Sequence, residues 1–379
     1  MTGLYIHIPF CKSRCIYCGF YSTTLTGLRQ RYVDAICKEM RMRTVDDNIS
    51  TIYLGGGTPS QLSHDMLQQL FSNIYHTYNV AGNAEVTMEC NPDDVTEEFC
   101  NTLRSLPVNR ISMGAQTFSN DRLRFLRRRH TAEDVHTAIG RLRNIGISNI
   151  SIDLMFGFPN ETITEWQTDI DTALSLDVEH ISAYCLMYEE GTVLFEQIQS
   201  QAHPSEMDGA PSIHPISDEL ERQMYEMLVD RLEAAGYEHY EISNFAKQSF
   251  RSRHNSSYWH GVPYIGIGAA AHSYDIESRQ WNVGDIHQYM EDIEQDIIPC
   301  EREELDDDTR YNDIVTTALR TKEGIDLTAL DDKYRSYLLE NSRQAVANKL
   351  LCSDGNTIHL TRKGLFVSDD VMSDLIFIQ

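Results

Sequence analysis

The stretch "YIHIPFCKSRCIYCGF", residues 5–20, decides how the rest of the chain is read. Its opening belongs to the β-branched run "LYIHI" (4–8), a strand candidate, and Cys11, Cys15 and Cys18 follow at once. Three thiols within eight residues are one more than a disulfide uses and one fewer than a closed zinc site takes. No second CxxC and no His pair supplies the missing ligand. The remaining cysteines (Cys37, Cys90, Cys100, Cys185, Cys300, Cys352) are scattered singly and read as small buried apolar residues.

Working outward, five more strand candidates follow: "TIYL" (51–54), "AEVTME" (84–89), "RISM" (110–113), "ISIDLMF" (150–156) and "HISAYCLM" (180–187). Amphipathic helical patterns lie between them, among them 65–78, 132–146 and 163–176. Strand and helix alternating at intervals of about thirty residues predict an α/β fold with a parallel sheet, either a partial barrel of six units or a doubly wound open sheet. The pattern then changes. Residues 199–217 carry three prolines and read as a surface loop, 217–236 as a helix, and 237–246 as strand-like. Past about residue 300 come helices followed by a small wing, "GNTIHLTRKGLFVSDDVMSDLI". The expected organisation is a barrel core over 1–235, a barrel-completing segment over 236–299, and a smaller α+β, winged-helix-like domain over 300–379.

Charge narrows the partners. The 379 residues carry a formal net charge of −25, against a nucleic-acid backbone as ligand. Residues 301–379 hold 10 Lys/Arg against 16 Asp/Glu, so the wing reads as a structural or docking element rather than a DNA reader. No apolar run has transmembrane length, and "MTGLYIHIPF" lacks the basic flank of a signal peptide, so the expected location is the cytoplasm.

In a parallel barrel the working residues sit at the C-terminal ends of strands. Here those ends offer the thiol loop, "GGGTPS" (55–60), Glu89, Gln116 and Asp153. Glycines at 55–57 would let the backbone approach a bound group and present N–H donors to it. Singly, each of these has a structural reading as a turn or a polar cap, and the basic run "RLRFLRRRH" (122–130) reads as a solvated helix face. Three thiolates on one loop suit three corners of a 4Fe-4S cube, leaving one iron without a protein ligand.

CxxxCxxC after a first strand, with Tyr17 before the third cysteine and then "GGGTP", resembles the radical S-adenosylmethionine (SAM) superfamily. "YIHIPFC", "GGGTPS", "ECNPDD", "RISMGAQTF", "DLMFGFP", "HNSSYW" and "IGIGAAAHSY" extend the resemblance to the oxygen-independent coproporphyrinogen III oxidase group across nearly 270 residues. The resemblance implies a partial (β/α)6 barrel in which Cys11, Cys15 and Cys18 hold a [4Fe-4S] cluster and its open iron chelates SAM. Carried over by position, Tyr5, Tyr17, Gly56, Gly57, Thr58, Glu89, Gln116, Arg128 and Asp153 would contact SAM, with Cys185 and His272 at further aligned positions. The chain departs from the oxidase: Phe20 stands where a fourth cysteine would, and only ten residues precede Cys11. Both departures, with "HNSSYW" (254–259), are similar to the HemW branch, which implies a haem chaperone with an acceptor protein as partner, membrane-associated acceptors included.

For haem, His254 is a candidate axial ligand because imidazole suits iron, and Tyr258 and Trp259 are candidates to lie against a flat macrocycle. An aromatic pair joining two domains is equally ordinary core. Two classes of function therefore stand: haem trafficking, and a radical enzyme on a tetrapyrrole.

Overall fold

The computed structural model describes residues 1–202 and 214–378. Six parallel strands lead the chain: β1 (Thr2–Ile8), β2 (Ile49–Gly56), β3 (Val80–Cys90), β4 (Arg110–Gln116), β5 (Asn149–Phe156) and β6 (His180–Cys185). Each pairs with the next, so they stand in the sheet in chain order. A doubly wound sheet reverses its order at a switch point. None occurs across these strands, and that alternative falls; the fold is a partial (β/α)6 barrel.

The helices are α1 (Arg29–Met42), α2 (His64–Thr77), α3 (Glu97–Leu103), α4 (Asn120–Phe125), α5 (Ala132–Asn144), α6 (Ile163–Ser175), α7 (Val193–Ala202), α8 (Asp218–Ala234), α9 (Arg253–Trp259) and α10 (Ile286–Glu294). Local signals set their starts. Thr131 and Thr162 each accept the N3 backbone N–H and receive Asp134 or Glu165 in return, a reciprocal cap that satisfies two otherwise unpaired donors.

Side chains alternate across each strand, and the alternation sorts the barrel into two chemistries. Leu4, Ile6, Ile8, Ile52, Leu54, Val86, Met88, Ile111, Ile152 and Ile181 lie in the main core with the apolar faces of α1, α2, α5, α6 and α8. The other face carries Tyr5, His7, Tyr53, Glu89, Ser112, Ser151, Asp153 and His180. Glu89, Ser112, Ser151 and His180 stand side by side across four strands. The hydrophobic burial that holds the domain together therefore lies between sheet and helices, and the barrel interior is polar.

Six further strands extend the sheet: β7 (Glu238–Glu241), β8 (Asn244–Ala246), β9 (Tyr264–Ile267), β10 (His272–Tyr274), β11 (Ser278–Asn282) and β12 (Cys300–Glu304). The order is β12-β11-β10-β9-β1-β2-β3-β4-β5-β6-β8-β7, with β9 parallel to β1 and the outer pairs antiparallel. A second core, including Tyr311, Val315, Leu338, Ile358 and Leu375, belongs to a smaller α+β domain with a three-stranded antiparallel sheet: β13 (Ile325–Asp326), β14 (Leu351–Asp354) and β15 (Thr357–Leu360).

Several expectations change. The expected loop at 199–217 begins inside α7, and residues 203–213 lie outside the described residues. The expected strand at 237–246 is the β7–β8 hairpin. The wing ends at Leu360, and Arg362–Leu365 and Ser368–Leu375 are helical, because Val371, Met372 and Leu375 fall on one helical face and are buried. Cys37, Cys90 and Cys100 are buried as expected, whereas Cys300 and Cys352 are exposed on short strands.

Candidate functional site

The loop after β1 is closed by backbone. Thr23 N–H donates to the Pro9 carbonyl (2.7 Å) and Cys11 N–H to the Thr23 carbonyl (2.9 Å). Between Cys15 and Cys18, Ile16 is buried with Leu126, Met155, Phe158, Leu186 and Leu194 in a satellite core that fixes the loop to the barrel rim. The three thiols are half-buried, and burial pushes those of Cys11 and Cys18 above the ordinary thiol range. Among the described residues, no group of three or more His, Cys, Asp or Glu side chains is gathered closely enough to hold a metal ion. The donor set still fits an iron–sulfur cube: three soft sulfurs on one loop, and Phe20, 73% exposed, adds no fourth.

The strand ends converge on this loop. Thr58 Oγ1 lies 3.6 Å from Cys11 Sγ and accepts from Asn91 (3.3 Å). Arg128 reaches Cys15 Sγ (3.6 Å) and donates to Asn91 Oδ1 and the Gly114 carbonyl, both at 2.7 Å, while its buried Nε has no partner among the described residues. That orphan donor suits a carboxylate. Glu89 accepts from Tyr53 OH (2.7 Å) and Gly56 N–H (3.0 Å), and burial pushes its carboxyl up to about 7. Asp153 is raised to about 6 by burial, opposed by Arg110, Ser182 and Arg128. Gln116 sits at φ 67° where β4 slips register against β5, a left-handed backbone rare for a residue with a side chain. Tyr5 OH donates to His7 Nδ1 (2.9 Å) and His7 Nε2–H to the Tyr21 carbonyl (3.1 Å), which fixes one tautomer. Tyr17 packs against the satellite core, close to Cys15 and Arg128.

Thus Tyr17, Gly56, Gly57, Thr58, Glu89, Gln116, Arg128 and Asp153 lie on the C-terminal half of the barrel or its rim, while Tyr5 stands at the middle of β1 with its ring also on His254 (6.4 Å). Two readings need correction. Gly56 has φ +105°, and a Cβ there would strike the His7 ring; a Cβ on Gly57 would fall 2.5 Å from Pro9 C and 2.7 Å from Ile8 O. These glycines therefore let β2 pack against the entry to the thiol loop, and their tightness is against protein. The run 122–130 is not simply a solvated face: α4 ends at Phe125, Arg122 pairs with Glu161 (3.0 Å), and Arg128 turns into the site.

Sequence reasoning missed Asp94 as a hub. It accepts from Lys12 (3.1 Å), Ser60 (2.9 Å), Gln61 (2.6 Å) and Arg129 (3.2 Å), tying the thiol loop, the "GGGTPS" turn and the 126–130 loop together. Burial alone would raise its pKa, but these partners hold it below the ordinary value. Its only signal was the second Asp of "NPDD".

"HNSSYW" lies elsewhere. It forms α9 at the opposite end of the barrel, where the backbone N–H of His254 donates to Glu85 (2.9 Å) of β3, which stands opposite Thr51 of β2. His254 is 1% exposed, with Nδ1 2.8 Å from Thr51 Oγ1 and Nε2 2.8 Å from Tyr258 OH, and burial lowers its pKa to about 3. Both ring nitrogens are taken, so the expectation that His254 is an axial ligand is corrected: it offers iron no free lone pair. Tyr258 and Trp259 are half-buried, with Tyr258 edge-on to Tyr264 at 4.6 Å and Trp259 edge-on to Tyr240 at 6.2 Å.

Residues 5–173 match the Radical SAM superfamily. A protein of Bacillus subtilis (strain 168) named "Heme chaperone HemW" is 35% identical over 98% of this chain and 98% of its own length. A protein of the same name from Lactococcus lactis subsp. lactis (strain IL1403) is 32% identical over 99% of this chain and 97% of its own. The solved structure of coproporphyrinogen III oxidase (HemN) from Escherichia coli superposes with a TM-score of 0.84 over 99% of this chain and 90% of that one. At 20% identity, this last likeness shows a shared fold. No helix among the described residues is long and apolar enough to cross a membrane.

Proposed function

The chain belongs to the HemW family within the radical SAM superfamily, and from that premise we propose that it is a haem carrier holding a [4Fe-4S] cluster, SAM and haem. It passes haem to an acceptor protein and works in the cytoplasm, with no nucleic acid as partner. The observation that carries the reading is the joining of three half-buried thiols to Arg128, Thr58, Glu89 and Asp153 at one end of a polar barrel. When bound, such a cluster supplies electrons at an iron that no thiolate blocks. Around it, Arg128 directs a guanidinium donor at a carboxylate, and Glu89 and Asp153 accept from ammonium or ribose hydroxyl groups. Gly56, Gly57, Thr58 and the Tyr17 backbone shape the rim, and Tyr5 lies below it. The haem part rests on the names of the two relatives.

The test is anaerobic reconstitution followed by haem titration, with assays for 5′-deoxyadenosine and for loss of coproporphyrinogen. Replacing Cys11, Cys15 or Cys18 with Ser should abolish the cluster absorption, and Cys352→Ser should not. Stoichiometric haem binding without coproporphyrinogen loss supports the carrier. Conversion of coproporphyrinogen would replace it with the oxidase reading.

A further inference from the structure

Four imidazoles belong to the inner face of the sheet or the barrel's floor: His7, His180, His254 and His272. The first three are closed. His7 is held by Tyr5 and Tyr21, His180 lies between Ser151 (2.7 Å) and the Tyr240 hydroxyl (2.8 Å), and His254 between Thr51 and Tyr258. His272 differs: it is exposed, and neither ring nitrogen has a hydrogen-bond partner among the described residues.

The register shows what surrounds it. Gly3 and Tyr5 of β1 stand opposite Tyr264 and Gly266 of β9, and Tyr264 stands opposite Tyr274 of β10. His272 and Tyr274 stand opposite Trp281 and Arg279 of β11. Residues directly opposite share a face, so this set continues the barrel's inner face outward. Its rings form a strip: His272 stacks on Trp281 (6.1 Å between centroids, 28° between planes), Tyr274 lies 6.3 Å from Tyr264, and Tyr264 meets Tyr258. Tyr258, Tyr264, Tyr274 and Trp281 are all half-buried; the helix Asp307–Ala318 reaches the Tyr274 end of the strip, where Asp313 pairs with Arg279 (3.4 Å), while His272 at the other end is exposed. His272 backs onto Gly266, which stands opposite Tyr5 on β1, so it continues the row that carries Tyr5 and His7.

We propose that this face is the haem wall of the protein, with His272 as the iron ligand and Trp281 and Tyr274 against the macrocycle. The proposal rests on the haem-carrying reading above. A free imidazole is a proximal haem ligand in its own right, and because it would stand across the macrocycle, Trp281, stacked on it at 28°, would meet the porphyrin with its edge and supply apolar contact there. Tyr274 stands two residues along β10 from His272, about 7 Å, so a ring with its iron over the imidazole covers both. Glu301 and Glu303, opposite Trp281 and Arg279 on β12, bound the wall with carboxylates and keep the porphyrin's own acids toward solvent.

The test is haem titration of full-length wild type, His272→Gln, Trp281→Leu and His254→Ala, each followed by its Soret band. His272→Gln should shift the band and weaken binding by about tenfold or more, and added imidazole should restore the band. Trp281→Leu should weaken binding with the band unmoved, and His254→Ala should leave the band in place. His272 is exposed, so this variant keeps the fold, which its circular dichroism and melting curve check. Wild type that binds no haem would overturn the carrier reading itself. Wild-type haem binding with an unchanged His272→Gln spectrum and affinity would overturn the wall alone.

Discussion

At Gly57 the spacing to the neighbouring loop is decisive. A methyl there would fall 2.5 Å from Pro9 C, two residues before Cys11, so Gly57→Ala must push the thiol loop rather than merely fill a ligand's place. Overpacking of this kind costs about 1–3 kcal/mol. The expected outcome is a lower melting temperature together with less reconstituted iron per chain; weakened SAM binding with full iron would contradict it. Glu89 gives a pH signature. Its folded pKa is raised from 4.5 to about 7, so the folded state binds the extra proton. Its contribution is fully present below about pH 4.5 and is lost as pH rises toward 7. Melting of wild type and Glu89→Gln across that range should therefore show the variant gaining on wild type as pH rises; a constant difference would mean the carboxyl titrates normally. The cysteines and the strand-end acids were legible as residues because their positions follow from strand ends. Asp94 and Tyr53 were not, since their partners come from other strands and loops and only folding brings them together.

Among elements, α9 shows how a motif can be read for the wrong reason. Its histidine bridges β2 and its own helix through two hydroxyls, and Ser252, fully buried, caps the helix by accepting from Asn255 N–H (3.3 Å). Removing the imidazole leaves the Thr51 and Tyr258 hydroxyls unpaired in a buried place, so His254→Ala should cost about 2–4 kcal/mol in denaturant unfolding. A near-neutral result would mean the hydroxyls pair elsewhere. The motif was conspicuous in sequence because His, Tyr and Trp fall together, and what the sequence withheld was the floor they plug. The parallel strands were legible because two-sided burial writes continuous β-branched runs. β12 was not: "CEREE" is exposed at every residue, and nothing in its pattern separates it from a loop.

For the whole molecule, the strand order excluded the doubly wound alternative that the periodicity left open, since alternation of strand and helix is the same in both. The smaller domain also guards the sheet. Ile242 N–H donates to the Arg320 carbonyl and Lys322 N–H to the Tyr240 carbonyl (both 3.0 Å), with Arg320 paired to Glu241 (2.8 Å), so the outer side of β7 is occupied. Deleting residues 305–379 would bare that edge, and an unpaired edge recruits other chains. The shortened chain should elute as higher oligomers in size-exclusion chromatography, whereas a monodisperse monomer would show that β7 needs no cover.

Because the twelve strands run in a line from β12 to β7, the sheet is a split ring rather than a hoop. A hoop resists widening, since every strand is gripped on both sides. A split ring widens by flexing, and no ladder hydrogen bond has to break. Its two lips are unequal: β7 is stitched to residues 320–322, while β12 is exposed along its whole length. The β12 lip lies next to the strands that bear Trp281 and His272. The flat guest proposed for that face would lie at the open lip, apart from the thiol loop that Thr23 and Cys11 close through backbone hydrogen bonds.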